Sequence, residues 1–176
     1  MTGTTLTRNL SELAGLAGRF DELEKAGRDT APLMRDISLS LLVSTHRRFE
    51  LEQDPERKKW RLFSAVTLRE RAGGRKAFFK NNRYKARKGT EAKMASAKLL
   101  RASNRLFQSI TAEHTATTAQ VGTNVIYAAI HNFGGQAGRN KKVTIPARQY
   151  LGLSTEDDAM IAEAVDDYLS GAWSGA

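Results

Sequence analysis

The sequence predicts an α+β fold, and three observations carry that expectation. Apolar residues recur at three- and four-residue spacing towards both ends of the chain, the period of a helix with one buried face. Between them, residues 110–121 and 143–145 alternate apolar with polar side chains, the period of a strand. Gly134-Gly135 and Pro146 frame the second of these stretches as a helix stop and a strand stop. The expected architecture is an N-terminal helical arm, then a small antiparallel β-sheet packed by a short helix and a C-terminal helix.

Taken in order, Leu6, Leu10, Leu13, Ala17, Phe20 and Leu23 form the first apolar stripe. Gly15 and Gly18 each weaken that helix by about 1 kcal/mol against alanine, so it is expected to need a partner surface. Ala26-Gly27 breaks it, Asp29 or Thr30 caps the next helix, and Pro32 suits the first turn. Leu33, Ile37, Leu41, Thr45 and Phe49 then carry a second stripe, so residues 1–56 read as a helical hairpin or one kinked arm. Asp54-Pro55 stops it.

Residues 57–98 read as a basic, partly irregular segment, the periodicity failing from Gln53 to Lys93: Gly73-Gly74 and Gly89 punctuate a stretch in which Trp60, Phe63, Phe78, Phe79 and Tyr84 are scattered among cations. A short helix is expected from Glu91 to Arg101, followed by a turn at Ser103-Asn104. Residues 99–176 then form the α+β core of what is one structural domain overall. Ile110, Ala112 and His114, a turn at Thr117-Thr118, and Ala119 with Val121 read as a β-hairpin. Asn124 caps a short helix in which Ile126, Tyr127, Ile130 and Phe133 are expected core residues, as are Ile145 and Leu151 further on. Residues 136–142 read as an exposed loop leading to a strand at Val143–Ile145. Ser154 and Asp157 resemble a capping box ahead of the closing stripe Met160, Ile161, Ala164, Val165, Tyr168 and Leu169.

A chain of 176 residues is long enough for a proper core, burying about 70% of its unfolded surface. The absence of cysteine removes disulfides and thiolate metal sites. No apolar run reaches the ~20 residues that span a bilayer, and the N-terminus lacks a secretory apolar region, so a soluble, untargeted chain is expected. The net charge of +9 is concentrated: residues 57–105 hold 17 of the 28 Lys and Arg with only Glu70 and Glu91 opposing them. Such a block meets phosphate, meets an acidic protein surface, or is solvated. Its candidate contact residues are Arg57, Lys58, Lys59, Arg75, Lys76, Lys80, Arg83, Lys85, Arg87 and Lys88, joined by Arg139, Lys141 and Lys142 of the later loop.

Catalytic patterns are missing. His46, His114 and His131 sit in separate elements without paired ligand spacing, so neither a metal nor another cofactor is expected. His131, beside a helix stop, reads as a packing or capping residue. The glycines of 134–138 precede no Lys-Ser or Lys-Thr and follow a helix, the reverse of a phosphate-binding loop. Ser109 has no nucleophile-elbow context, and the acids after Ser154 suit the dipole of a helix N-terminus. The expected action is binding.

The segment Tyr127-Ala128-x-Ile130-His131-x-Phe133-Gly134, then Ile145-Pro146-Ala147-Arg148, then Leu151-Gly152-Leu153-Ser154 resembles the signature of the phage virion-morphogenesis family, the Mu G-like and P2 S-like tail-completion proteins. Leu99-Leu100, Ser103-Asn104-Arg105-Leu106 and Ser109-Ile110 are similar to an upstream segment of that family, and Trp60, Ser64 and Thr67 echo its spacing. Asn104 replaces a usual glycine, a change that keeps a left-handed turn feasible, and Gln149-Tyr150 replace a proline and an aromatic. On this resemblance Tyr127, Ile130, His131, Phe133, Gly134, Ile145, Pro146, Arg148, Leu151 and Gly152 are the scaffold. It implies a structural virion protein of the head-tail neck, assembled in the host cytoplasm, whose partners are copies of itself in a hexameric ring, the tail tube and neck or connector proteins. Non-specific contact with packaged DNA accompanies that role, and no membrane does. The alternative is a DNA-binding protein that uses residues 57–105 on nucleic acid.

Overall fold

The computed structural model describes residues 10–79, 82–86 and 88–174. The fold is α+β. Its elements are α1 (Leu10–Arg28), α2 (Ala31–Leu51), α3 (Ala65–Arg71), β1 (Phe78–Phe79), β2 (Asn82–Ala86), α4 (Thr90–Ala95), α5 (Arg105–Gln108), β3 (Thr111–His114), β4 (Ala119–Gly122), α6 (Ala128–Phe133), β5 (Gly135–Ala137), β6 (Val143–Ile145) and α7 (Thr155–Ser174). The strands pair as three two-stranded sheets among the described residues, β1 with β2, β3 with β4 and β5 with β6. Leu6 and the side chains of Leu10, Leu13 and Ala17 lie outside the described part.

The chain gathers into two compact units, one built from the chain up to Leu41 with Ala112–Val121 and the chain from Thr155 onward, the other from Leu42–Thr111 with Gly122–Ser154. In the first, α1 packs on α7: the Phe20 and Trp173 rings meet edge to face at 5.6 Å, and the Arg19 guanidinium stands 5.6 Å over Trp173. The Tyr168 hydroxyl donates to the Asp29 carbonyl at 2.6 Å, holding α7 to the α1–α2 corner. Asp29 Oδ1 accepts from Ala31 N at 3.2 Å, as expected of a cap. Thr30 donates to the Ala116 carbonyl at the tip of the β3–β4 hairpin. Leu33 and Ile37 are buried along α2, and Asp157 is buried in the first turn of α7.

The second unit is centred on Phe49, which is fully buried and touches Trp60 at 5.5 Å, Phe107 at 5.6 Å and Tyr150 at 4.9 Å between ring centroids. Leu99, Leu106 and Ile110 close this core. Asn104 takes a left-handed φ of 55° at the start of α5, the conformation its side chain tolerates. Residues 146–152 have no regular structure, yet their backbone is closely bonded. Asn132 Oδ1 accepts from both Tyr150 N and Leu151 N at 3.0 Å, and one Arg48 nitrogen donates to the carbonyls of Tyr150 (3.1 Å) and Gly152 (2.6 Å). Trp60 Nε1 donates to the Gln149 carbonyl at 3.0 Å, and Arg148 N donates to the His131 carbonyl at 2.8 Å. The Tyr150 hydroxyl donates to the Ala128 carbonyl at 3.0 Å, and burial pushes that phenol up to about 12.

Several expectations are corrected. The helix begins at Ala128, after Asn124 and a turn from Val125 closed by Ala128 N and the Val125 carbonyl. A six-residue helix seats only one narrow face, and the pair buried here is Ala128 and Asn132. Ile126 and Tyr127, ahead of the helix, are 98% and 37% exposed and Phe133 at its end 76%, while Ile130, Ile145 and Leu151 are half-buried. The expected loop 136–142 contains β5, which pairs Gly135 with Ile145 and Ala137 with Val143. Gly134, at φ 75°, makes that reversal possible, because a Cβ there would come within 2.8 Å of Ala147 N. The basic stretch holds α3, β1 and β2 where the sequence shows no periodicity. The helix expected from Glu91 to Arg101 stops at Ala95. Leu99 N then donates to Glu52 Oε1 at 2.7 Å, so the chain is drawn off the helical path into the core.

Phe49→Ala is expected to lower unfolding free energy by about 3–5 kcal/mol, and Ile126→Ala to change it by less than about 0.5 kcal/mol, in urea denaturation followed by circular dichroism.

Candidate functional site

The second unit contains a cavity of about 920 Å³. One wall starts from Trp60, whose burial fixes the path of Arg61, Leu62 and Phe63 that follow. Ser64 then caps α3: its Oγ accepts from Thr67 N at 3.2 Å and shares a hydrogen bond with Thr67 Oγ1 at 3.0 Å. That cap sets the direction of α3 and brings Arg71, one helix-length on, to the cavity. The Arg71 guanidinium lies 4.1 Å above the Phe63 ring and donates to the Lys98 carbonyl at 3.2 Å.

The facing wall is made by the signature residues. Tyr127, just ahead of α6, and His131 on it meet edge to face at 5.8 Å. Ile145 and Pro146 follow from the end of β6, and Arg148 is 6% exposed. Arg148 Nε donates to the Arg61 carbonyl at 2.9 Å, and its guanidinium centre is 5.6 Å from the Phe63 ring. Its terminal nitrogens bond to no acceptor among the described residues. Leu100, Ser103 and Leu106 complete the lining with Val143 and Thr144.

Three guanidiniums thus share one concavity, and among the described residues no Asp or Glu lines it. Burial lowers the pKa of Arg148, and the charges of Arg71 and Arg61 lower it further against a pull from Glu52. Burial also lowers Arg71. Arginines stay charged at neutral pH regardless, so the cost appears as a site that favours an anion. His131 is held below the ordinary histidine range by burial, then by Arg148 and Arg71, and its Nδ1 is buried with no hydrogen-bond partner among the described residues. Binding and orienting an oxyanion beside an apolar wall is chemistry that this arrangement supports. No three His, Cys, Asp or Glu are grouped to hold a metal among the described residues, and no described helix is long and apolar enough to cross a membrane.

Of the cations singled out in the sequence, Arg57, Lys58, Lys59, Arg75, Lys88, Arg139, Lys141 and Lys142 are exposed and outside the cavity. Lys59 Nζ donates to the Leu51 carbonyl at 2.6 Å, capping α2. Lys80 and Arg87, with the side chains of Lys76, Arg83 and Lys85, lie outside the described residues. Of the scaffold residues, Tyr127, His131, Ile145, Pro146 and Arg148 meet at the cavity, whereas Phe133 points to solvent and Gly134 and Gly152 serve the backbone. Arg61 and Arg71 were not singled out. Their position beside Trp60 and at the end of a helix capped by Ser64 and Thr67 was the available signal.

The sequence profile of the phage virion morphogenesis family matches residues 11–170. The chain is similar to "Mu-like prophage FluMu G protein 2" of Haemophilus influenzae, 36% identical over 153 residues that cover 87% of this chain and 88% of the relative. It is also similar to "Putative capsid assembly protein G" of Escherichia phage Mu, 29% identical over 155 residues, 87% of each chain. No solved structure matches significantly.

Because the folded pKa of His131 lies below 6.5, the unfolded chain takes up its proton first as pH falls. This contribution to stability is full above pH 6.5 and is lost below it, down to the folded pKa. His131→Gln is expected to flatten that part of the stability–pH curve, measured as urea midpoints between about pH 7.5 and about pH 5.5.

Proposed function

Because the chain belongs to the phage virion morphogenesis family and so has a structural role in virion assembly, we propose that it acts at the head-tail neck, as a tail-completion, terminator or connector component. It works by binding proteins: copies of itself, in a ring that matches the tail, and the tail tube or its neighbours at the neck. The observation that carries this reading is the reach of the family match, residues 11–170, which takes in the basic stretch as well as the signature. Exposed apolar side chains in the second unit support it. Leu62 is 74% exposed, Val66 72%, and Ile126 and Phe133 are freer or as free, a pattern that suits surfaces covered by protein on assembly.

The charge of residues 57–105 favours a second reading, contact with DNA. Within the first reading it becomes a weak, sequence-independent contact with packaged DNA.

Light scattering on the purified chain, alone and with tail tubes added, tests the proposal. A closed ring, or a monomer that joins the tubes, is expected. A monomer that ignores tubes and binds duplex DNA with a salt slope near −0.9 per phosphate contacted would overturn it.

A further inference from the structure

The two compact units differ sharply in charge. The first carries 5 Lys and Arg against 13 Asp and Glu, the second 23 against 6. Their net charges, −8 and +17, have opposite sign although the chain as a whole is basic. The basic unit holds the cavity in which Arg148, more than nine-tenths buried, is fixed by its Nε bond to the Arg61 carbonyl while its terminal nitrogens lack an acceptor among the described residues. Arg61 and Arg71 stand at the same cavity, with no carboxylate among its described lining residues, beside Phe63, Leu106 and Ile145. A site of this kind takes a carboxylate flanked by apolar groups. The acidic unit offers that combination on α7, where Glu163, Asp166 and Leu169 are exposed and follow one another at helical spacing on one face, with Asp167 adjacent.

We propose that the cavity is a carboxylate receptor and that a second copy of this chain fills it, presenting the Glu163–Asp166–Leu169 face of its α7. This rests on the reading of the chain as an assembly component and names the contact. The two surfaces are different, so the interface is heterologous and each copy can both give and receive, the arrangement that closes into rings. A protein segment fits better than a duplex here, because the cations line a concavity with apolar walls, whereas a duplex presents phosphates on a convex surface and leaves such walls wet.

Sedimentation velocity of the full chain tests this with two charge-reversed variants, Arg61→Glu with Arg71→Glu, and Glu163→Lys with Asp166→Lys and Asp167→Lys. All five side chains are exposed enough for circular dichroism to report native folding in both. Wild type should assemble at low salt and dissociate as salt rises; each variant alone should associate at least tenfold more weakly; an equimolar mixture should assemble again, since each variant then meets its complement. If reversal unfolds the first variant, Arg61→Gln with Arg71→Gln should still weaken association tenfold. Wild type that is monomeric at every salt concentration, variants that assemble as well as wild type, or a mixture of folded variants that stays monomeric would each overturn the proposal. So would a monomeric wild type that binds a short DNA duplex through Arg61 and Arg71. Tail binding is read separately: if wild type and both variants bind tail tubes alike while self-association is unchanged, the neck role stands and this contact falls.

Discussion

The second unit depends on satisfying the backbone of a segment that is neither helix nor strand. Residues 146–152 carry Arg148 and Tyr150 into the interior, where each unbonded amide or carbonyl would cost about 1–3 kcal/mol. Side chains from elsewhere supply the partners: Asn132 takes two amides, one Arg48 nitrogen serves two carbonyls, and Trp60 takes a third. These bonds also set the packing. Tyr150 cannot leave Phe49 without breaking its own amide and hydroxyl bonds, so the aromatic core and the polar lock hold one another. Gly152 belongs to the same device, since a Cβ at its φ of 150° would meet Gln149 Nε2 at 2.8 Å and Pro55 Cγ at 3.0 Å.

The lock leads directly to the cavity. Arg148 lies between Ala147 and Gln149 in that segment, so its position is fixed by the backbone bond to His131 before its side chain makes any contact. The guanidinium then reaches the Arg61 carbonyl, and the same Trp60 that bonds Gln149 sets where Arg61 begins. Holding three guanidiniums together with no carboxylate among the described lining residues opposes folding by mutual repulsion and, at Arg148 and Arg71, by desolvation. The core around Phe49 offsets that cost. Sites that maintain such an imbalance are more often made for a ligand than for stability, because an internal carboxylate would relieve it at once.

The periodic parts of the chain were legible. Leu33, Ile37, Thr45 and Phe49 are buried along α2 as their spacing requires, Pro146 follows the last residue of β6, and residues 111–122 form the expected hairpin. What could not be read has no period. Asn132 and Arg48 act through long-range bonds to backbone, and nothing in their neighbours marks a polar residue that will be buried. Ile126 and Phe133 have the spacing of a core face, but Ile126 lies in the turn ahead of α6 and the six-residue helix that carries Phe133 is too short to present one, so both stand in solvent. The cavity was half visible, since its signature wall lay in one recognisable run while Arg61 and Arg71 were hidden among 17 similar cations.

The basic character therefore has two physical forms. Lys58, Lys88, Lys141 and Lys142 are exposed on flexible stems, so their attraction is long-ranged, unspecific and weakened by salt within about 8–10 Å. Arg148 and Arg71 are held by backbone carbonyls and an aromatic ring, so they lose little entropy on binding, and Arg148 is buried as well. The first kind raises the rate of encounter with any anionic surface, whether protein or DNA; the second discriminates among surfaces and governs how long the right one stays. A chain with only the first would bind nucleic acid indiscriminately. If a second copy fills the cavity, the fixed arginines are what let the chain prefer it to other anionic surfaces.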